Sequence, residues 1–218
     1  TGSGTLVGYA GSAFSTLTIT NSGIGYTPSS GSYTFSGVEL TSITGKGTNA
    51  RADIYVENGA ADYPFAKSLL EKFKRAKVIN IHDYKEVFNR PKQDFDLQKQ
   101  SPKLILAVKK DKFLYDGSRF VQDSNNINFF YNALSLNCPY DCSYCYLQGM
   151  YSSANQVCFV NLEDFFSATE QAIEVRRDQS QPLYLCISYD TDLLGFESIA
   201  PYCRKWIEFC RGRAGELL

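Results

Sequence analysis

The chain has 218 residues, 44% of them hydrophobic, and 22 Lys/Arg against 23 Asp/Glu. That is material for one medium domain or two small ones, and no apolar run approaches the roughly 20 residues of a membrane helix. The near-neutral total hides an uneven spread: residues 63–120 hold 14 Lys/Arg against 7 Asp/Glu, and residues 121–218 hold 6 against 12. Such a basic segment is either a nucleic-acid footprint or a solvated surface. Seven cysteines, an odd number with three packed together, argue against a secreted disulfide framework and for the cytoplasm.

Residues 1–59 are rich in Gly, Ser and Thr, with short alternating runs such as STLTIT and ADIYV between turn signals NSGIG, TPSSGS, TGKG and ENG. This pattern predicts several short antiparallel strands. The stretch NSGIGYTPSSGSYTFSGVELTSITGKG resembles the β repeats of virion structural proteins of large tailed phages. The composition changes at residues 58–59, and a boundary is expected there. YPFAKSLLEKFKRAK then places Phe65, Leu69, Leu70 and Phe73 at helical spacing. VINIH reads as a short strand, with His82 structural. NRPKQDFDLQKQSP reads as a polar loop, KLILAVKK as a strand, and KFLYDGSRF as a turn at residues 116–117.

INFFYNALSLN is an apolar run that leads into the cysteines, and CFV beyond them is a short extended segment. Asn161 suits an N-cap, with Glu163 and Asp164 in the first turn favouring the helix dipole. That helix is expected to run to about Arg177. QPLYLCISYD is a strand, and a last helix is expected over about 198–211. Two βα units in a row from Ile127 argue for a parallel sheet or the start of a barrel. Neither end has the look of a natural terminus, so a fragment of a longer protein is expected, inactive and poorly stable by itself.

The chemistry concentrates in NCPYDCSYCYLQ, residues 137–148. Cys138, Cys142 and Cys145 have the spacing C-x3-C-x2-C on a loop after a strand. Three thiolates can hold three irons of a 4Fe–4S cluster and leave the fourth open to a small chelator. Zinc is the competitor, with Cys158 as its fourth ligand; a second C-x2-C knuckle is missing. A disulfide would leave one thiol over. Cys158, Cys203 and Cys210 read as core thiols, the last two seven apart on a helix beside Trp206 and Ile207.

CPYDCSYCYLQ resembles the radical SAM enzymes and, more narrowly, their spore photoproduct lyase branch. FVNLEDFF (residues 159–166), YPFAKSLLEKF and KLILAVKK are similar to the same branch, so the resemblance covers about residues 60–218. It implies a start of a (β/α)6 barrel over 127–218, a small α+β region over 60–126 before it, and the β segment over 1–59 in front. It also implies a 4Fe–4S cluster on Cys138, Cys142 and Cys145, with S-adenosylmethionine on the open iron. A flavodoxin or ferredoxin would supply the electron, and damaged DNA carrying a thymine dimer would be the substrate, with no membrane involved.

By the same resemblance, Tyr144 and Tyr146 lie near the cofactor and take part in hydrogen or electron transfer. Thr191 and Asp192 align with a Ser-Asp pair that follows a hydrogen-donating cysteine in the family. This chain departs there: Tyr189 falls at the cysteine's place, and Cys186 lies three residues earlier. On a regular strand an offset of three puts a side chain on the opposite face, unless a bulge intervenes. Both Cys186 and Tyr189 are therefore candidate donors. Two other readings stay open: a radical SAM protein of this branch with a different substrate, and a virion or surface-binding β protein fused to a degenerate enzyme domain.

Overall fold

The computed structural model describes residues 4–7, 16–19, 53–117, 125–140 and 142–218. Most of the segment read as antiparallel strands lies outside the described residues. Its described parts, β1 (Gly4–Val7) and β2 (Thr16–Ile19), pair antiparallel.

A five-stranded sheet has the order β4-β3-β5-β9-β8. Its members are β3 (Asp53–Glu57), β4 (Lys77–Ile81), β5 (Leu104–Ala107), β8 (Ser135–Leu136) and β9 (Gln156–Phe159). β3 pairs parallel with β4 and β5, and β5 pairs parallel with β9. This corrects the placement of ADIYV among the antiparallel strands. Its Ile54 and Val56 are buried, and α1 (Pro64–Lys72) carries the chain over to β4 in a βαβ crossover. The change at residues 58–59 is the turn out of β3, where Gly59 takes φ +82. Alternation marks a strand but not its partner, so it could not tell the two pairings apart.

α1 starts at Pro64, whose fixed φ suits the first helical turn, and buries Phe65, Ala66 and Leu69 against the sheet. The polar loop expected after β4 contains two short helices, α2 (Lys85–Phe88) and α3 (Phe95–Lys99). Asp94 caps α3 by accepting from the Leu97 N–H at 2.9 Å. β5 and β9 are buried along their whole length, as central strands covered on both faces are.

A second sheet has the order β10-β7-β6, from β6 (Tyr115–Asp116), β7 (Phe129–Tyr131) and β10 (Tyr184–Cys186). β7 and β10 pair parallel, in line with two successive βα units. CFV does not join them, because β9 belongs to the first sheet. Residues 216–218 run parallel beside β10, with the Leu185 N–H donating to the Leu218 carbonyl at 2.9 Å. The whole is a mixed α/β fold.

α4 (Leu162–Glu174) ends three residues before the expected Arg177. The Arg176 guanidinium folds back onto the carbonyls of Ile173, Gln179 and Gln181 and closes the helix there. Asn161 precedes α4, but its side chain does not cap it. It grips Lys109 instead, accepting from the backbone N–H at 2.8 Å and donating to the carbonyl at 2.9 Å. The last helical region divides into α5 (Leu193–Phe196) and α6 (Tyr202–Cys210). Trp206 is buried, whereas Ile207 points outward and Cys203 and Cys210 are half-buried, so only part of that face is core. Among the described residues, no helix is long and apolar enough to cross a membrane.

Ile105→Ala in β5 should destabilise the full-length protein by about 2–5 kcal/mol through the cavity it leaves. Val78→Ala on edge strand β4, where the side chain is 49% exposed, should stay within about 0.5 kcal/mol. Denaturant midpoints of the two variants check the contrast.

Candidate functional site

The cysteines sit in the connection between β8 and β9, which pair antiparallel through Ser135↔Cys158 and Leu136↔Val157. The neck of this loop is held by one buried side chain. Asn137 donates its amide to the carbonyls of Ser153 and Asn155, each at 2.6 Å. Its own backbone is left-handed, φ +69, a region that Asn tolerates better than most residues. Ser135 adds a bond from Oγ to the Val157 carbonyl at 2.6 Å. The chain then winds tightly, with the Cys145 N–H on the Cys142 carbonyl at 3.0 Å and the Gln148 N–H on the Cys145 carbonyl at 3.1 Å.

Cys138, Cys142 and Cys145 line one pocket, and none is in a disulfide. Phe95 and Lys99 of α3, with Tyr140, Leu147 and Gln148, complete much of its wall. Among the described residues, no three His, Cys, Asp or Glu side chains close on a point as ligands of a single metal ion. Cys158 is not with the three: it is fully buried in β9, beside Ser135 Oγ at 4.0 Å. Burial pushes its thiol up to about 12. Cys138 is also shifted upward by burial, against the pull of backbone N–H groups of Tyr140 and Asp192 that point at its sulfur.

That Asp192 contact joins the cysteine loop to the turn after β10. Asp192 spends its carboxylate on the N-cap of α5, accepting from the Gly195 N–H at 3.0 Å. Gly195 lets the Tyr140 ring pack close, since a Cβ there would come within 2.7 Å of that ring and push it aside. Thr191 presents a buried Oγ1 without a hydrogen-bond partner. Thr191 and Asp192 therefore lie beside the cysteine loop.

The tyrosines divide. Tyr146 bends toward the turn, its hydroxyl donating to the Tyr189 carbonyl at 3.1 Å and its ring 6.4 Å from that of Tyr189. The residue is 58% exposed, yet partial desolvation beside Tyr189 and Asp190 raises its pKa to about 12. Tyr144 is 89% exposed and stands away from this contact. Tyr189 packs on Tyr131 at 5.1 Å, and Tyr131 stacks on Tyr115 at 5.2 Å.

The strand argument about Cys186 and Tyr189 does not apply, for a physical reason. β10 ends at Cys186, and Ser188 turns the chain with φ +59, so alternation stops before Tyr189. Cys186 stands in register with Tyr131, whose ring also meets Tyr189. Both candidate donors therefore border the same tyrosine at the carboxyl ends of β7 and β10. Sequence reading missed Asn132, which organises this turn: its Oδ1 accepts from the Ser188 N–H at 2.7 Å. It also missed Asp190, a carboxyl raised by burial and hydrogen-bonded to Tyr151. His82 lies elsewhere, its Nδ1 3.0 Å from the Asn58 amide.

The family model for spore photoproduct lyase matches residues 50–217. The chain belongs to the spore photoproduct lyase family. Two solved structures show the likeness of fold. One is a spore photoproduct lyase complexed with dinucleoside spore photoproduct, at TM-score 0.62 and 24% identity. The other is a double mutant of such a lyase with bound AdoMet and dinucleoside spore photoproduct, at TM-score 0.61 and 23% identity. Each match covers 77% of this chain and 48% of the other, so the chain spans about half the length of the structures it matches. No curated protein matches.

Asn137→Gly keeps the backbone conformation and removes both neck bonds. Amide exchange across residues 138–153 should accelerate about tenfold or more, since each lost bond to a buried group is worth about 1–3 kcal/mol. Unchanged exchange would dismiss the neck. In the unreduced order of thiol alkylation at pH 8, Cys158 should stay unmodified until denaturant is added, because both burial and its raised pKa suppress the thiolate. Mass spectrometry of the native and unfolded protein reads this directly.

Proposed function

We propose that the chain is the cofactor-binding part of a radical SAM repair lyase that splits the spore photoproduct. The observation that carries this is the pocket shared by Cys138, Cys142 and Cys145 in a chain of this family. The donor set fits a 4Fe–4S cluster better than zinc. A cluster binds each thiolate to a different iron, so the sulfurs need not close on one point, and no fourth protein ligand is required. When bound, the cluster supplies the electron that cleaves S-adenosylmethionine and starts the radical chemistry on the thymine dimer. The parallel pair β7 and β10, with residues 216–218 beside it, supports the reading of these strands as the first part of a (β/α)6 barrel. In such folds the reacting groups gather at the carboxyl ends of the strands.

The chain's own residues then have distinct tasks. Cys138, Cys142 and Cys145 would hold the cluster as thiolates. The backbone N–H groups on Cys138 favour that charged form against the larger opposing effect of burial. Tyr146, braced on Tyr189, would border the cofactor; Thr191 offers its buried hydroxyl, and Asp192 fixes the turn with its carboxylate on the Gly195 N–H. Cys186 returns a hydrogen atom to the product: its S–H bond breaks, the product C–H bond forms, and the radical passes to sulfur. Tyr189 is the alternative donor through its phenol. Tyr144, exposed to solvent, would act only once substrate covers it. The substrate is damaged DNA, with lysines of residues 63–120 on its phosphates. The electron comes from a flavodoxin or ferredoxin, and the setting is the cytoplasm.

A second reading keeps the cofactors and changes the substrate. It is favoured by Tyr189 standing where the family has its cysteine. Repair of dinucleoside spore photoproduct by the anaerobically reconstituted full-length protein separates the two. Clean repair by the parent, with at least tenfold less thymine product from Cys186→Ala and near-parent yield from Tyr189→Phe, is expected. The reverse pattern would make Tyr189 the donor. Cleavage of S-adenosylmethionine without any lesion turnover would instead select the second reading.

A further inference from the structure

We propose that Asn132 is a positioning residue for the return of hydrogen to the product: its side chain holds a one-residue bulge at Ser188 that brings Cys186 and Tyr189 to the same face. This role rests on the proposed function, in which one of those two side chains is the hydrogen donor.

β7 and β10 form a regular parallel ladder up to Tyr131 and Cys186, which are register partners. Past them the Asn132 N–H donates to the Cys186 carbonyl at 3.2 Å, as a parallel ladder requires. The next bond of that ladder would run from the Ser188 N–H to the Asn132 carbonyl. It runs from the Tyr189 N–H instead, at 2.9 Å. One residue is therefore inserted, and Ser188 is that residue, with its backbone in the left-handed region at φ +59. Ser188 is buried, and an N–H displaced from the ladder there needs another acceptor. The Asn132 side chain provides it, Oδ1 accepting from the Ser188 N–H at 2.7 Å. Asn132 thus bonds to Cys186, Ser188 and Tyr189 in turn.

The bulge changes what the spacing of the two candidates means. Tyr189 takes the ladder place two beyond Cys186, and alternate places share a face. Ile187, between them, packs on the hydrophobic core. Cys186 lies opposite Tyr131, and Tyr131 packs its ring on that of Tyr189 at 5.1 Å. Both candidate donors therefore stand with Tyr131 on one face. A left-handed backbone at a residue other than glycine persists only where its surroundings hold it. Asn132 is fully buried, and its Nδ2 has no hydrogen-bond partner among the described residues, so the side chain's hold on the turn is through Oδ1 alone. Without that acceptor the bulge loses its brace. A return to the regular ladder is a one-residue slip, and it sends Tyr189 to the face opposite Cys186.

The test compares Asn132→Leu, which removes the acceptor at similar size, with Asn132→Asp, which keeps it and gives up only the unpaired Nδ2. In the reconstituted full-length protein, amide exchange at residues 188–189 should be about tenfold or more faster in Asn132→Leu, with β5 and β9 exchanging as in the parent. Asn132→Asp should exchange like the parent. With dinucleoside spore photoproduct, Asn132→Leu should form about tenfold less thymine product, or lower still, per 5′-deoxyadenosine, because a displaced donor misses the substrate radical. Asn132→Asp should restore that ratio. A merely structural role would lower both products together, so an unchanged ratio in Asn132→Leu would overturn the positioning role. Unchanged exchange at residues 188–189 would overturn the hold on the bulge. A parent protein that makes 5′-deoxyadenosine and repairs no lesion would instead overturn the proposed function, and the donor role with it, while exchange still decides the bulge.

Discussion

The double hydrogen bond from the Asn137 amide to the carbonyls of Ser153 and Asn155 is the constraint on which the rest of the site depends. The three cysteines occupy a long excursion between two short strands, and a loop of that length has many conformations to lose. Closing its neck with a buried side chain removes most of that freedom before any cofactor arrives. The left-handed backbone at Asn137 turns the loop out of β8, so the same residue sets both direction and closure. Preorganised thiols lower the entropic cost of assembling a metal site, which a loose loop would have to meet at the moment of binding.

From this neck, contacts spread to both sheets. β9 ties the loop to the buried centre of the five-stranded sheet through β5. The Asp192 N–H on Cys138 and the bare backbone of Gly195 against Tyr140 bring in the turn after β10. Cys186, Tyr131 and Tyr189 come together at the ends of β7 and β10. Residues that are tens of positions apart in the chain, Phe95 and Lys99 of α3 among them, thus meet the cysteine loop. The cost is visible as strain and unpaired groups: Ser188 in a left-handed conformation, and Ser188 Oγ, Asn132 Nδ2 and Thr191 Oγ1 buried without partners. Such features gather where a fold keeps groups ready for a ligand.

What was legible in the sequence follows from how local each signal is. The cysteine spacing was legible because its chemistry is contained in eight residues. α1 and α4 were legible from helical spacing and from Asn161 at the start of α4, and β5 from its short continuous apolar run. The partner of β3 was not, since alternation is identical in parallel and antiparallel sheets. α3 was hidden in a polar stretch; the Asp94 cap was its one local sign, and its attachment through Gln98 and Lys99 is long-range. The relation of Cys186 to Tyr189 was left open between a regular strand and a bulge, because nothing in a serine announces φ +59 at residue 188. Asn161 was read by its usual capping role, and tertiary contact with Lys109 claimed its side chain first.

The most direct test of the central claim is iron and sulfide analysis of the anaerobically reconstituted full-length protein, with the electron paramagnetic resonance spectrum of its reduced form. The expected result is about four irons and four sulfides per chain, with a reduced-cluster signal that changes when S-adenosylmethionine is added. All of this should be lost when Cys138, Cys142 and Cys145 are replaced together by alanine. One zinc and no sulfide, or iron and sulfide that survive the triple replacement, would contradict it.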